Sequence, residues 1–326
     1  MTVTGFLLAV GSAASFSLSG IFASALMEAG WSAGAAAATR IALAALVLLI
    51  PTLVMLRGAW DLVRRAWGSV LLFGALAIAG CQLAFFMAVQ FIPPSLALLI
   101  EFMGPVLLVF WTWARSRIAP SAITLLGTAF AVLGLVAVSG GVLTGGLHPL
   151  GILFALVAAV GNAAYYAAGA KADHGIPPIP FVGVGLLVGA VILALVTATG
   201  LLPFAATGDA GIIAGRPMPA WVLVAGMVLI STVLAYVLGV AASRRLGATV
   251  SSFAGYGEPL FGIIWTILLL SVLPTAMQWL GAALIIVGVV TVKIGEIHQA
   301  RRLARSAPSS PDGSDRSIPS PRGSRE

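Results

Sequence analysis

Long apolar runs, each ended by a short cluster of polar, Pro or Gly residues, organise most of this chain. They fall at about 4–26, 32–56, 67–90, 95–114, 121–140, 149–170, 180–202, 219–243, 247–270 and 274–295. A helix crossing a bilayer needs roughly 20 apolar residues, a tilted membrane strand only about ten. The runs are of helix length and continuously apolar rather than alternating, so they predict ten transmembrane helices and not a barrel. The breaks carry loop chemistry: Ile92-Pro93-Pro94, Gly140-Gly141, Pro177-Pro178-Ile179-Pro180 and Arg216-Pro217-Met218-Pro219. Ala23-Ser24-Ala25 resembles a signal cleavage site. However, no Lys or Arg precedes the first run, which is also longer than a signal core, so a retained span is expected.

Composition points the same way. Residues of the AVILMFWYC set make up 60% of the 326 and charged residues only 8%, where about 25% charged is usual. A soluble core cannot absorb that much apolar side chain, so lipid is the solvent for most of the chain. Soluble enzymes, disulfide scaffolds and nucleic-acid-binding domains are excluded. The net charge of +7 resides in short loops and in the segment after 297. The lone Cys81 lies in an apolar run, so no disulfide framework or cysteine metal site is expected.

Charge also predicts orientation. With a cytoplasmic N-terminus, the inside loops hold Arg57, Arg64, Arg65, Arg115, Arg117, Lys171, Arg244 and Arg245, and the outside loops only Arg216. That asymmetry follows the positive-inside rule and places both termini in the cytoplasm of a cell membrane. The preference for Arg over Lys hints at a GC-rich bacterium. Residues 297–326, rich in Ser, Pro and Arg, read as a disordered cytoplasmic tail.

Residues 105–138 repeat at 259–292 without gaps. Pro105/Pro259, Trp111/Trp265, Thr112/Thr266, Pro120/Pro274, Gly127/Gly281 and Gly134/Gly288 are among the identities. Near the start of each half, Gly5, Leu7, Ala9 and Ala13 match Gly151, Leu153, Ala155 and Ala159. The expected organisation is a five-helix repeat over 1–140, a second over 141–296, and the tail. Five is odd, so the second repeat enters the membrane from the opposite side. Such inverted repeats in secondary transporters hold a substrate near the midplane. The fold class is thus an all-α integral membrane protein of ten transmembrane helices, built as a 5+5 inverted-topology repeat.

Certain segments resemble a known group. Pro93 and Ala97, followed by Glu101-Phe102-Met103-Gly104-Pro105, are similar to the fourth helix of the threonine/homoserine exporter branch of the EamA family, in the drug/metabolite transporter superfamily. Glu258-Pro259 resembles that family's ninth-helix Glu-Pro pair. Asn162-Ala163-Ala164-Tyr165 resembles its sixth-helix Trp-Ala-x-Tyr pattern with Asn162 replacing the tryptophan, and Arg40 stands where the family often has an arginine. The likeness covers about 1–295. It departs at Leu270-Ser271-Val272-Leu273, where many relatives carry a Gly-Glu pair. It implies an inner-membrane exporter of amino acids or other small metabolites, with no cofactor.

Charge inside a membrane costs about 2.5–3.5 kcal/mol per residue or more. Arg40, Glu101 and Glu258 lie well inside spans and each must face a cavity or a partner. The two carboxyls suit a proton-coupled carrier; the bland alternative is a neutral carboxyl that locks helices together. Arg40 reads rather as a structural charge or a residue snorkelling to the interface. Pro105 and Pro259 cannot donate to the carbonyls of Glu101 and Gly255, so each is expected to break its helix and expose an oxygen beside a carboxyl. Gln82, Asn162, Tyr165 and Tyr256 are the further cavity candidates, alongside Gln90, Tyr166 and Tyr236. Any one of these serves interhelical hydrogen bonding equally well. Trp111, Trp113, Trp221 and Trp279 read as interface anchors. The paired glycines suit close packing of helices five and ten, with a homodimer face as the alternative.

Rival classes lack their signatures. His148, His174 and His298 are isolated near span ends, so neither a metalloprotease nor serine chemistry is served, and no metal site is expected. There is no P-loop for ATP and no filter-like segment for a channel. The expectation is a secondary carrier, with a small-molecule substrate, protons and lipid as partners and no nucleic acid. An amino-acid substrate comes from the resemblance, and drug-like cations are the alternative.

Overall fold

The structure, a computed structural model, describes residues 3–138, 148–171, 175–270 and 273–306. Among them, nine helices are long and apolar enough to cross a membrane, and Ala122–Val138 is a shorter apolar helix. In chain order they are α1 (Val3–Glu28), α2 (Ala33–Met55), α3 (Trp60–Ala88), α4 (Leu96–Ser116), α5 (Ala122–Val138), α6 (Pro149–Ala170), α7 (Pro178–Ala198), α8 (Ala220–Leu246), α9 (Ala248–Leu269) and α10 (Ala276–Ser306). The chain is an all-α membrane protein.

Two ends differ from expectation. Helix α3 begins at Trp60, so Arg64 and Arg65 lie in its first turns rather than in a loop. Val63, Ala66 and Val70 are buried there while both arginines are exposed. An amphipathic interfacial turn carries its charge on one face, and a search for uniform apolarity passes over it. Helix α10 runs on to Ser306, so residues 297–306 of the expected tail are helical. Ala, Arg and Leu there are good helix formers that need no apolar run. The remainder of that tail (307–326), the Gly140-Gly141 break and the Ser271-Val272 departure lie outside the described residues.

The loop before α8 holds an antiparallel hairpin, β1 (Gly211–Ile213) and β2 (Arg216–Met218). Its two turn residues, Ala214 and Gly215, both have positive φ (56° and 70°), as a tight right-twisted hairpin requires. The hairpin lies on the end of α1, and Trp31 Nε1 donates to the Thr207 carbonyl at 2.8 Å.

Outward surfaces are apolar: Ile50 is 71% exposed, Leu195 64% and Trp221 73%. In water such a surface would aggregate; here it meets lipid. The interior is rich in alanine and glycine beside larger residues such as Phe73, Phe181 and Phe253, because helices in lipid associate largely through close packing. The seam between α5 and α10 shows this most clearly. A Cβ on Gly134 would lie 2.6 Å from the Gly281 carbonyl oxygen, and one on Gly281 equally close to that of Gly134. Gly127 meets Gly288 and Val292. Low numbers in α5 face high numbers in α10, so these repeat-equivalent helices run antiparallel, as opposite insertion demands. The glycines therefore hold the two halves of one chain together.

Leucine at Gly134 forces side-chain atoms into that backbone contact, beyond the overpacking of about 1–3 kcal/mol typical of cores. Gly134→Leu is expected to abolish recovery of monodisperse protein from detergent. Gly68→Leu, at an exposed site with open space around it, is expected to leave recovery unchanged. Size-exclusion profiles compare the two directly.

Candidate functional site

Helices α3 and α8 each contain a π-helical stretch, Leu72–Gly80 and Leu229–Leu234. At the repeat offset the second stretch falls within the first. The widened turn in α8 displaces the Met227 carbonyl, which accepts from the Ser231 and Thr232 hydroxyls at 2.9 and 2.8 Å. Such turns re-aim the side chains that follow them and concentrate at functional sites. Cys81 and Gln82 follow the first, Tyr236 the second.

Helices α4 and α9 are interrupted at equivalent places. The α4 helix stops at Glu101 and resumes at Gly104; α9 stops at Ala254 and resumes at Gly257. Each proline sits in the first turn of the resumed piece, where its missing N–H leaves no bond unmade. The expected free oxygen is not found in α9: the Gly255 carbonyl accepts from the Glu258 N–H at 2.9 Å.

Around these irregular turns lies a cavity of about 690 Å³. Its walls include Arg40, Gln82, Glu101, Asn162, Tyr165, Glu258 and Pro259, drawn from helices of both halves. Tyr166 and Tyr236 also line it. Glu101 accepts from the Cys81 thiol at 3.4 Å, a sulfur that also reaches the Ala158 carbonyl at 3.4 Å. The Arg40 guanidinium donates from Nη1 to the Ser19 hydroxyl, and its Nε has no partner. Arg40, placed on the sequence as a structural or snorkelling charge, thus also faces the cavity. It acts electrostatically on both glutamates, and Glu101 on Glu258. Asn162 is pressed against Gly104, where any side chain would collide with it, and its Oδ1 has no partner.

The floor is aromatic. Tyr165 contacts Phe16, Phe73, Tyr166 and Tyr236 with ring centroids 6.1, 5.6, 4.7 and 5.6 Å apart. From there the cavity reaches Met27 at the end of α1, Ala33 at the start of α2 and Pro274 and Gln278 near the start of α10. It therefore extends from mid-depth to the face where α1 ends, opposite the face bearing Arg244 and Arg245.

Tyr256 does not line this cavity. It is fully buried among Phe102, Phe253 and Ile285, and its ring meets that of its repeat-equivalent Phe102 at 6.2 Å. The two broken helices cross there on the pseudo-twofold axis, which places Tyr256 in the packing. Pro105 is likewise buried outside the cavity wall, whereas Pro259 lies within it. Gln90 is also outside the wall. Sequence reasoning passed over Ser19 and gave Cys81 no role. A serine or thiol in an apolar helix carries no distinctive signal, because its hydrogen bond can be met within the helix.

The EamA-like transporter family matches residues 3–140 and 149–294. The chain belongs to that family. It is also 24% identical over 242 residues to the uncharacterised inner membrane transporter YicL of Salmonella typhimurium (strain LT2), covering 73% of this chain and 76% of the relative. A solved crystal structure superposes with a TM-score of 0.72 at 17% identity, covering 90% of this chain and 99% of that one, which shows a shared fold. This EamA-like membrane transporter thus has a small-molecule substrate.

Cys81, the one cysteine of the chain, is a reporter for that cavity. A membrane-impermeant thiosulfonate is expected to label it from the face where α1 ends, and bound substrate to slow labelling at least fivefold. Labelling rates in vesicles of both orientations, read by mass spectrometry, check this.

Proposed function

We propose that the protein is a proton-coupled secondary carrier that exports an amino acid, or a similarly small amphipathic metabolite, by alternating access. The observation that carries this reading is the joining in one cavity of a guanidinium, two carboxyls and an aromatic floor. A zwitterion needs both signs of charge, and its apolar side chain needs a surface such as Phe16, Phe85 and Phe86 offer. In this reading the substrate carboxylate pairs with the Arg40 guanidinium, an ion pair stronger than the bond to the neutral Ser19 hydroxyl. The ammonium group lies toward Glu101, whose carboxyl already accepts from Cys81. Glu258 carries the proton. The motif likeness to threonine/homoserine exporters supports the amino-acid class, as the relative's inner-membrane name supports a bacterial inner membrane.

The arginine-rich loops support cytoplasmic termini. The cavity then faces outward, the state that releases an exported substrate and takes up a proton. Inverted halves supply the opposite state by exchanging their conformations.

A second reading, a carrier of organic cations, is favoured by the two carboxyls and the aromatic rings taken alone. Binding of threonine, phenylalanine, their methyl esters and the corresponding amines to purified protein separates the two. The amino-acid reading predicts that esters and amines, which lack the carboxylate, bind at least tenfold more weakly. Preferential binding of the amines would overturn it in favour of the cation reading.

A further inference from the structure

Beside Glu258 lies a second, small void of about 10 Å³, which shares Phe16, Tyr166 and Glu258 with the cavity. Its wall includes Ser12 of α1, Tyr166 of α6, and Ser251 and Glu258 of α9. That size is near the minimum for one water molecule, and the wall is polar enough to hold one. Glu258 therefore borders both spaces, whereas Glu101 borders only the large cavity. Ser251 lies on the first piece of α9 and Glu258 on the resumed piece, and both reach this void. The Ser251 hydroxyl meets that of Ser243 at 2.9 Å, and Ser243 is bound to the Gly239 carbonyl at 2.8 Å. Beyond this pair an apolar plug of Phe6, Ala9, Leu246 and Val250 closes the route to the arginine-rich face. The Ser12 hydroxyl donates to the Ala235 carbonyl of α8 at 2.8 Å, so hydroxyls of α1, α8 and α9 lie along one line from the void toward that plug.

We infer that Glu258 is addressed from both sides of the membrane: through the cavity in the state described, and through the Ser12–Ser251–Ser243 track once the plug parts. The inference rests on the carrier reading above and deepens it by dividing the two carboxyls. Glu258 exchanges protons with both sides; Glu101, bordering one space only, holds substrate. Arg40 from α2 and Glu101 from α4 act electrostatically on Glu258, which in turn acts on Cys81 from α3, Tyr165 and Tyr166 from α6, and Tyr236 from α8. The plug keeps the track dry while the cavity is open, which prevents a proton leak across the resting protein. When α1 moves off α8 and α9, water enters along the hydroxyls. The carboxyl O–H then breaks and its proton passes through that water to the arginine-rich side, leaving a carboxylate that can be reprotonated from the cavity.

The test needs no known substrate. Ser251→Cys and Ser12→Cys, each near-isosteric, are made in the full chain, with Cys81 retained as the internal marker of the cavity face. Sealed vesicles of both orientations are treated with an impermeant maleimide, and the two cysteine peptides are quantified separately. The introduced cysteines are expected to react at least fivefold faster from the face opposite to the one that labels Cys81. Labelling from the same face as Cys81, or none from either face while Cys81 reacts, overturns the track and leaves the carrier reading standing. Failure of Cys81 to react from either face removes the open cavity, and the track falls with it.

Discussion

Glu258→Gln is expected to eliminate the response of transport to a pH gradient while preserving exchange of labelled for unlabelled substrate. An amide has nearly the shape of a protonated carboxyl, but it does not take up and release a proton as the acid does. Glu258 lines the cavity at the start of the resumed piece of α9, with Glu101 and Arg40 in electrostatic contact. Gradient-driven accumulation should fall at least tenfold, with exchange within about twofold of the parent. Glu101→Gln should do the reverse, weakening binding and slowing both modes together. Parallel assays in proteoliposomes read both quantities. Full gradient-driven transport by Glu258→Gln would return this carboxyl to a helix-locking role.

Arg40→Ala is expected to raise the KM for an amino-acid substrate at least tenfold, or about 1.4 kcal/mol. Truncating one partner of a buried, hydrogen-bonded charge pair commonly costs about 2–5 kcal/mol, so tenfold is the floor of the expected effect. The guanidinium is held in place by Ser19 and lines the cavity, where a carboxylate would pair with it. Arg40→Lys keeps the charge but not the planar fork, so recovery should be partial. A purely structural Arg40 would instead lower protein yield and affect amines and amino acids alike. Measuring KM for an amino acid beside binding of its decarboxylated amine separates the two roles.

The ten helices were legible because a bilayer demands long apolar stretches and the breaks between them are marked by Pro and Gly. The inverted relation of the halves was legible for a different reason: Gly127, Gly134, Gly281 and Gly288 have to be small where backbones touch, and that requirement shows as a repeat. Glu101, Glu258, Asn162, Tyr165 and Gln82 stood out because a polar group in lipid needs a reason. Tyr256 met the same criterion but lies on the pseudo-twofold axis against Phe102, which only the crossing of the two broken helices reveals. Ser19 and Cys81 acquire meaning from neighbours distant in sequence, Arg40 and Glu101. The π-helical turns leave no periodic trace, since apolar residues surround them on every side. The first turns of α3 escaped because Arg64 and Arg65 interrupt apolarity without interrupting the helix.

The measurement that reaches furthest is uptake of a labelled amino-acid panel by inside-out vesicles, with and without an imposed pH gradient, alongside vesicles carrying Glu258→Gln. Gradient-dependent accumulation of threonine, homoserine or an aromatic amino acid, absent in the variant, is the expected result. Accumulation of none of them, with the protein shown to be present in the membrane, would contradict the amino-acid exporter and leave only the membrane carrier.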